Sequence, residues 1–410
     1  MKIRSITVFT PPAALSDRAR RARLSDFVRA ARAAYEDAGY EVQTARLATN
    51  LFETLNPSAS LTQTLDRVTE IEGVSRQLGF EYVSLGAATP RTQPWIPEIL
   101  AATESVFATI HIVSAGDGHL DGSAIQKAAH VIAEASKIEE GFGNLRFAAL
   151  ANVPEGTPFF PAAYWTQAQP AFGIATQAAD LAVEACRDTD DAAAMHARLI
   201  DVIEAHGQRI EAPAQVLANA HNLAFAGTDF SLAPFPGDAC SIGGALECLS
   251  GKPLGSAGTL TAAAIVADAL QQADFRHAGF CGVMMPVLED SVLAQRAAEG
   301  RLKIGELLQW SAVCGTGLDT VPLPGATTEA ALRRLLFDVG ALSARLGKPL
   351  TARLMPLPGC AAGDPVHFDF PYFADGGVLA LDSEPGNGLL LKTGALSLHA
   401  RRRASSSSIG

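Results

Sequence analysis

Short apolar runs alternate with amphipathic helical stretches along almost the whole chain, and this alternation narrows the choice of fold more than any other feature. Strand-like runs fall at residues 3–9, 41–45, 82–85, 109–113 and 146–151. Helical periodicity lies between them, near 16–38, 62–78, 96–105 and 122–139. Such a pattern predicts an α/β fold, with helices packed on a mostly parallel sheet. It resumes in the second half, with strands at 223–230, 282–287, 311–315 extending toward 321, 350–355 and 378–381. Helices fall there near 241–250, 259–272, 290–299 and 328–346. In the last of these, Leu332, Leu335, Leu336, Val339, Leu342 and Leu346 form one apolar stripe that Gly347 stops. Residues 171–210 read as two helices around Asp188-Thr189-Asp190-Asp191, a seam between halves. The loop 152–165 is too apolar for a flexible linker and is expected to pack over something. Five strands per half leave two architectures open: one closed barrel, or two doubly wound sheets.

Composition removes several function classes. Of 410 residues, 48% are hydrophobic and 18% charged, which excludes disorder for most of the chain. A net charge of −11 argues against nucleic acid or an anionic membrane as partner, since both need clustered cations. No run approaches the ~20 apolar residues that cross a bilayer, and the first residues read as a strand, not a signal peptide. The six cysteines show no C-x-x-C spacing, so reduced thiols and a cytoplasmic location are expected, with neither a disulfide framework nor a zinc site. The acidic surface suits a monomer or a homo-oligomer, and a small molecule is the expected partner.

Chemistry-bearing residues gather in the second half, where four runs end in polar residues among Gly and Pro. Asp229 and Ser231 share one face of a strand, and Asp229 is either a general base or metal ligand or a turn cap, while Asp238 sits just before a helix as a cap. Glu289 and Asp290 close a strand and open a helix, with Asp290 suited to the N-cap and Glu289 free to face the sheet mouth. Cys314 leads into Gly315-Thr316-Gly317, with Asp319 five residues on. It is either a nucleophile beside a close backbone approach or a buried, inert thiol. Arg353, a charge inside an apolar run, is either paired with a buried carboxylate or aimed at an anionic ligand. Gly255-Ser256-Ala257-Gly258-Thr259 precedes an apolar helix, where Ser256, Gly258 and Thr259 could hold an anion or merely cap. Asp364, Asp369 and Tyr372 form a further loop that could reach the same mouth.

Several long segments occur in an order that resembles the domain of unknown function 711 family. They are Thr259 to Leu270, Gly282-Val283-Met284-Met285-Pro286-Val287-Leu288-Glu289-Asp290, Ser311 to Asp319, and Arg353-Leu354-Met355-Pro356-Leu357-Pro358-Gly359, with the opening ten residues also similar. The resemblance reaches about residue 385. It implies a pyruvate formate-lyase-like fold, a ten-stranded α/β barrel of two five-stranded halves with surrounding helices. Residues 1–395 would then form one domain: a first half over about 1–155, a helical seam over about 156–215 and a second half over about 216–395. A solvated tail would follow over 396–410. Glycyl radical activity does not follow, because neither Ala374-Asp375-Gly376-Gly377-Val378 nor Pro385-Gly386-Asn387-Gly388 matches a radical-bearing glycine loop. The expectation is a non-radical enzyme for a small carboxylated metabolite, with Asp229, Glu289, Asp319 and Cys314 as catalytic candidates. A divalent metal remains an open cofactor. The rival is a non-catalytic metabolite-binding or regulatory protein.

Overall fold

The computed structural model describes residues 1–400 except 117, 385 and 387. Five parallel strands lead the sheet: β1 (Lys2–Phe9), β2 (Val42–Ala48), β3 (Tyr82–Ala87), β4 (Val106–Val113) and β5 (Phe147–Ala151). The crossovers between them carry helices α1 (Arg18–Asp37), α2 (Leu61–Gln77), α3 (Ile96–Ala102) and α4 (Gly122–Ala135). These strands are largely buried, as parallel strands between layers must be, with apolar residues interrupted by buried polar ones such as Ser5, Thr7, Arg46, Ser84 and Thr109.

The second half extends the same sheet at both of its ends. On one side β6 (Ala171–Gln177) runs antiparallel to β1 and carries β7 (Ala224–Ala233) parallel beside it. On the other, β9 (Leu350–Leu357) runs antiparallel to β5 and carries β8 (Gly317–Pro324). The strand order is β7-β6-β1-β2-β3-β4-β5-β9-β8, mostly parallel. The two terminal strands are linked by residues 276–288. Thr228 donates its N–H to Arg276 O at 2.8 Å, and Leu232 to Gly282 O at 3.1 Å. At the other end Val287 donates to Asp319 O at 3.0 Å.

Several expectations change here. Residues 171–177 are a strand, not helix, because Phe172 and Ile174 pack against β1 and not along a helical stripe. The seam's main helix is α6 (Ala192–His221), which follows α5 (Ala179–Arg187) and is capped by Asp191. Ser311 ends helix α10 (Ile304–Ser311), so the strand begins only at Gly317. Residues 282–287 form no regular ladder, only an isolated bridge from Pro286 to Asp319, and 378–381 form no strand. Helices α7 (Ile242–Ser250), α8 (Thr259–Gln272), α9 (Ser291–Ala298) and α11 (Glu329–Leu346) fall where the periodicity placed them. Gly347 adopts φ +63° and closes α11, as its position foretold. Cys186 and Cys248, expected as free thiols, are joined in a disulfide, since α5 and α7 pack side by side with Cα atoms 6.5 Å apart. Their separation of 62 residues hides that proximity in the sequence. Residues 395–397 pair with 119–121, so the chain holds to the sheet beyond residue 396. Of the tail expected over 396–410, residues 401–410 lie outside the described residues.

Apolar residues on the outer side of the sheet join the helices in one cluster that draws on residues from Ile3 to Leu379. The inner side is polar at several strand positions and covered by the loop 152–165. Thr7 Oγ1 donates to Pro158 O at 2.7 Å and Ser84 Oγ to Ala163 O at 2.6 Å. The loop's Phe159 and Ala162 pack on Leu150 and Met284, and Phe160 on Phe107. The loop therefore covers the inner face, and beside it a cavity remains.

Candidate functional site

The cavity leaves about 80 Å³ for the centres of water-sized molecules. At about 10–15 Å³ each on that measure, several waters or a small metabolite would fill it. Its charged side chains come from five places in the chain: Arg4 on β1, Arg46 on β2, Glu289 just before α9, Asp319 on β8 and Arg353 on β9. Aromatic and apolar side chains make up most of the rest, among them Phe159, Phe280, Met284 and Phe370, with Gln43, Thr44 and Thr351 as uncharged polar neighbours.

Three of the residues singled out from sequence meet here. Arg353 donates from Nε to Asp319 Oδ1 at 2.6 Å and from Nη2 to Glu289 Oε1 at 2.7 Å. All three side chains are nearly inaccessible to solvent. Arg353 is thus the carboxylate-paired arginine of the two readings left open, and its charge is spent on the protein. Glu289 is engaged twice, since Oε2 accepts from Arg4 Nη2. Burial raises the Glu289 pKa, but Arg4 and Arg353 outweigh it and hold the group below the ordinary carboxylate range. Asp319 moves the other way: burial, with the Glu289 charge beside it, outweighs Arg353 and pushes its carboxyl up. Its Oδ2 has no hydrogen-bond partner among the described residues.

The remaining candidates lie elsewhere. Asp229 is fully buried and accepts from Ser231 Oγ at 2.6 Å, Ser231 N at 3.2 Å, Phe280 N at 2.7 Å and Cys281 N at 2.9 Å. Burial pushes its carboxyl up to about 6 despite these donors, and it holds residues 276–288 to β7. Cys314 is buried without exposure, with its thiol pushed up by desolvation. The close approach made possible by Gly315 is to the chain itself: a Cβ on Gly282 would lie 2.5 Å from Gly315 Cα. Gly258, at φ +106°, opens α8, and Thr259 Oγ1 donates to Ser256 O at 3.0 Å. None of these, nor Ser256, lines the cavity. Asp290 caps α9 as expected and also accepts from Ser241 Oγ and Gly243 N, serving two helix starts at once. Of the late loop, Tyr372 reaches the cavity and lies 5.5 Å from the Arg4 guanidinium.

Sequence reasoning missed Arg4 and Arg46. Arg46 is 8% exposed, and its Nε donates to Thr44 Oγ1 at 2.9 Å. Its guanidinium sits 5.6 Å from the Tyr82 ring centre and 5.3 Å from that of Phe160. Neither terminal nitrogen has a hydrogen-bond partner among the described residues. Desolvation, then the like charge of Arg4, lowers its pKa to about 10, so it stays charged at neutral pH. The signal was the one that exposed Arg353, a charge inside a strand. Two carboxylates that could bind a divalent cation, Glu289 and Asp319, are held by guanidinium groups. Among the described residues no group of three or more His, Cys, Asp and Glu is arranged to hold a metal.

Among the described residues no helix is long and apolar enough to cross a membrane. The family model described as "Uncharacterised ACR (DUF711)" matches residues 1–374. A UPF0210 protein of Pyrobaculum arsenaticum is 32% identical over 315 residues, covering 73% of this chain and 68% of its own length. A second from Pyrobaculum aerophilum is 30% identical over 70% of this chain and 64% of its own. A third, from Methanopyrus kandleri, is 30% identical over 74% and 70%. The chain thus spans about two thirds of the length of the relatives it matches. With the match running from the first strand through the late loop, the chain belongs to the DUF711 family.

Proposed function

We propose that the protein is a non-radical enzyme acting on a small carboxylated metabolite, with Arg46 holding the substrate's carboxylate and Asp319 serving as its acid–base group. The observation that carries this reading is Arg46, a buried guanidinium with no carboxylate partner and two idle terminal nitrogens. Burying a lone charge is costly unless something pairs with it. An arginine fork matches a carboxylate in two parallel hydrogen bonds. Asp319 has the free oxygen and the raised pKa that suit a proton-transfer group. Glu289 and Arg353 position it.

The same reading closes the sheet. Residues 276–288, hydrogen-bonded to both terminal strands, would act as the tenth strand of a pyruvate formate-lyase-like barrel with the cavity inside its mouth. No radical chemistry enters: Cys281 and Cys314 lie outside the cavity lining.

The test is a panel of small carboxylic acids incubated with the protein in D2O and followed by proton NMR. Conversion or deuterium uptake should fall by about 10²–10⁴ in Asp319→Asn, with the melting temperature near wild type. Severe unfolding of that variant, unrelieved by any ligand, would make Asp319 a structural residue. A second reading, a binding protein without turnover, draws on Glu289, whose two oxygens are both ion-paired. Acids that bind through Arg46 but remain unchanged would favour it.

A further inference from the structure

The charges around the cavity carry the argument past the presence of a carboxylate to its number. Three guanidinium groups, of Arg4, Arg46 and Arg353, face two carboxylates, of Glu289 and Asp319. Arg4 and Arg353 are paired with those carboxylates. One positive charge is left over, and it is on Arg46. A ligand bearing one negative charge restores neutrality. A second would find no further unpaired cation in the lining and would face the charges of Glu289 and Asp319.

The surroundings of Arg46 also fix where the rest of the ligand must go. Tyr82 and Phe160 lie beside the guanidinium, and Thr44 takes the Nε. What remains free is the edge with the two terminal nitrogens. The uncharged lining is mostly apolar, with Phe107, Phe159, Phe280 and Met284 among it, and carries the hydrogen-bonding side chains of Gln43, Thr351 and Tyr372 as its polar minority. Such a wall rewards apolar surface and penalises a doubly charged body.

Building on the reading above, we infer that the site is selective for monocarboxylates with an apolar body, such as a short branched acyl chain or one aromatic ring, and selects against dicarboxylates and phosphate monoesters. The discriminating device is the combination of a single unpaired arginine with an aromatic wall. A phosphate monoester carries close to two negative charges at neutral pH and would leave one of them unmatched.

The experiment is titration calorimetry of the full chain with acetate, butyrate, benzoate, succinate and phenyl phosphate. Benzoate and butyrate should bind at least about tenfold more tightly than acetate, since they bury more apolar surface. Succinate and phenyl phosphate should bind at least about tenfold more weakly than butyrate and benzoate respectively, since each buries an extra charge. Arg46→Gln should remove binding of all the carboxylates, with folding checked by circular dichroism, and Arg46→Lys should recover only part of it. Succinate or phenyl phosphate binding as tightly as benzoate, and still lost in Arg46→Gln, would overturn the selectivity while leaving the carboxylate site standing. Binding that Arg46→Gln does not weaken, or no binding of any of the five at millimolar concentration, would overturn both.

Discussion

At the scale of single residues, burial separates the acids that the sequence made look alike. Asp229 and Asp319 both sit on strands of the second half, yet Asp229 spends its oxygens on four donors of its own chain and Asp319 keeps one free. Asp229 has a measurable signature. Its carboxyl titrates near 6 when folded and near 3.9 in an unfolded chain. Between those values the folded protein holds a proton that the unfolded chain has released, so this group's contribution to stability falls as pH rises through the window. Asn does not titrate. The stability of wild type relative to Asp229→Asn should therefore improve by on the order of 2–3 kcal/mol from pH 7 to pH 4, measured by denaturant unfolding. A difference that stays flat, or that moves in favour of wild type as pH rises, would contradict this assignment. Arg353, Glu289 and Asp319 were legible because each breaks an apolar run or ends one beside Gly or Pro. Arg46 obeys the same rule and was passed over because its strand was read to end at residue 45, one position short. Arg4 was absorbed into the alternation of β1. What no sequence pattern displays is which buried arginine lacks an acid, since partners come from strands far apart in the chain.

Elements with a strong period were readable and those held by tertiary contacts were not. The stripe of α11 and the strands β1 to β5 announce themselves, because each buries a continuous face against its neighbours. Residues 171–177 pass for helix through their small residues, and only pairing with β1 makes them a strand. The segment 276–288 has no regular ladder, and its path depends on Asp229 at one end and on a glycine contact in the middle. Gly282 and Gly315 touch backbone to backbone, and a Cβ on either would approach the other's Cα within 2.5 or 2.8 Å. Gly282→Ala should therefore cost about 2 kcal/mol or more, read as a lower denaturant midpoint, and should weaken ligand binding because Phe280 and Met284 shift with it. A variant as stable as wild type would show that this contact yields easily.

For the molecule as a whole, the chain order and the cavity explain one another. Placing β6 and β7 at one end of the sheet and β9 and β8 at the other leaves the two terminal strands to be joined by 276–288. That junction brings Glu289 and Asp319 to the arginines of β1, β2 and β9. The net charge of −11 is a poor guide to this interior, where the surplus is a single positive charge. The loop 152–165, read from its aromatic residues as a cover, shields the inner face and turns that surplus into a desolvated one. The account stands or falls on whether the surplus meets a carboxylate. A crystal structure of the protein with benzoate tests that directly. The account predicts the carboxylate lying against both terminal nitrogens of Arg46 at about 2.7–2.9 Å, with the ring among Phe107, Phe159 and Phe280. Benzoate bound elsewhere, or a cavity holding only water at saturating benzoate, would contradict it.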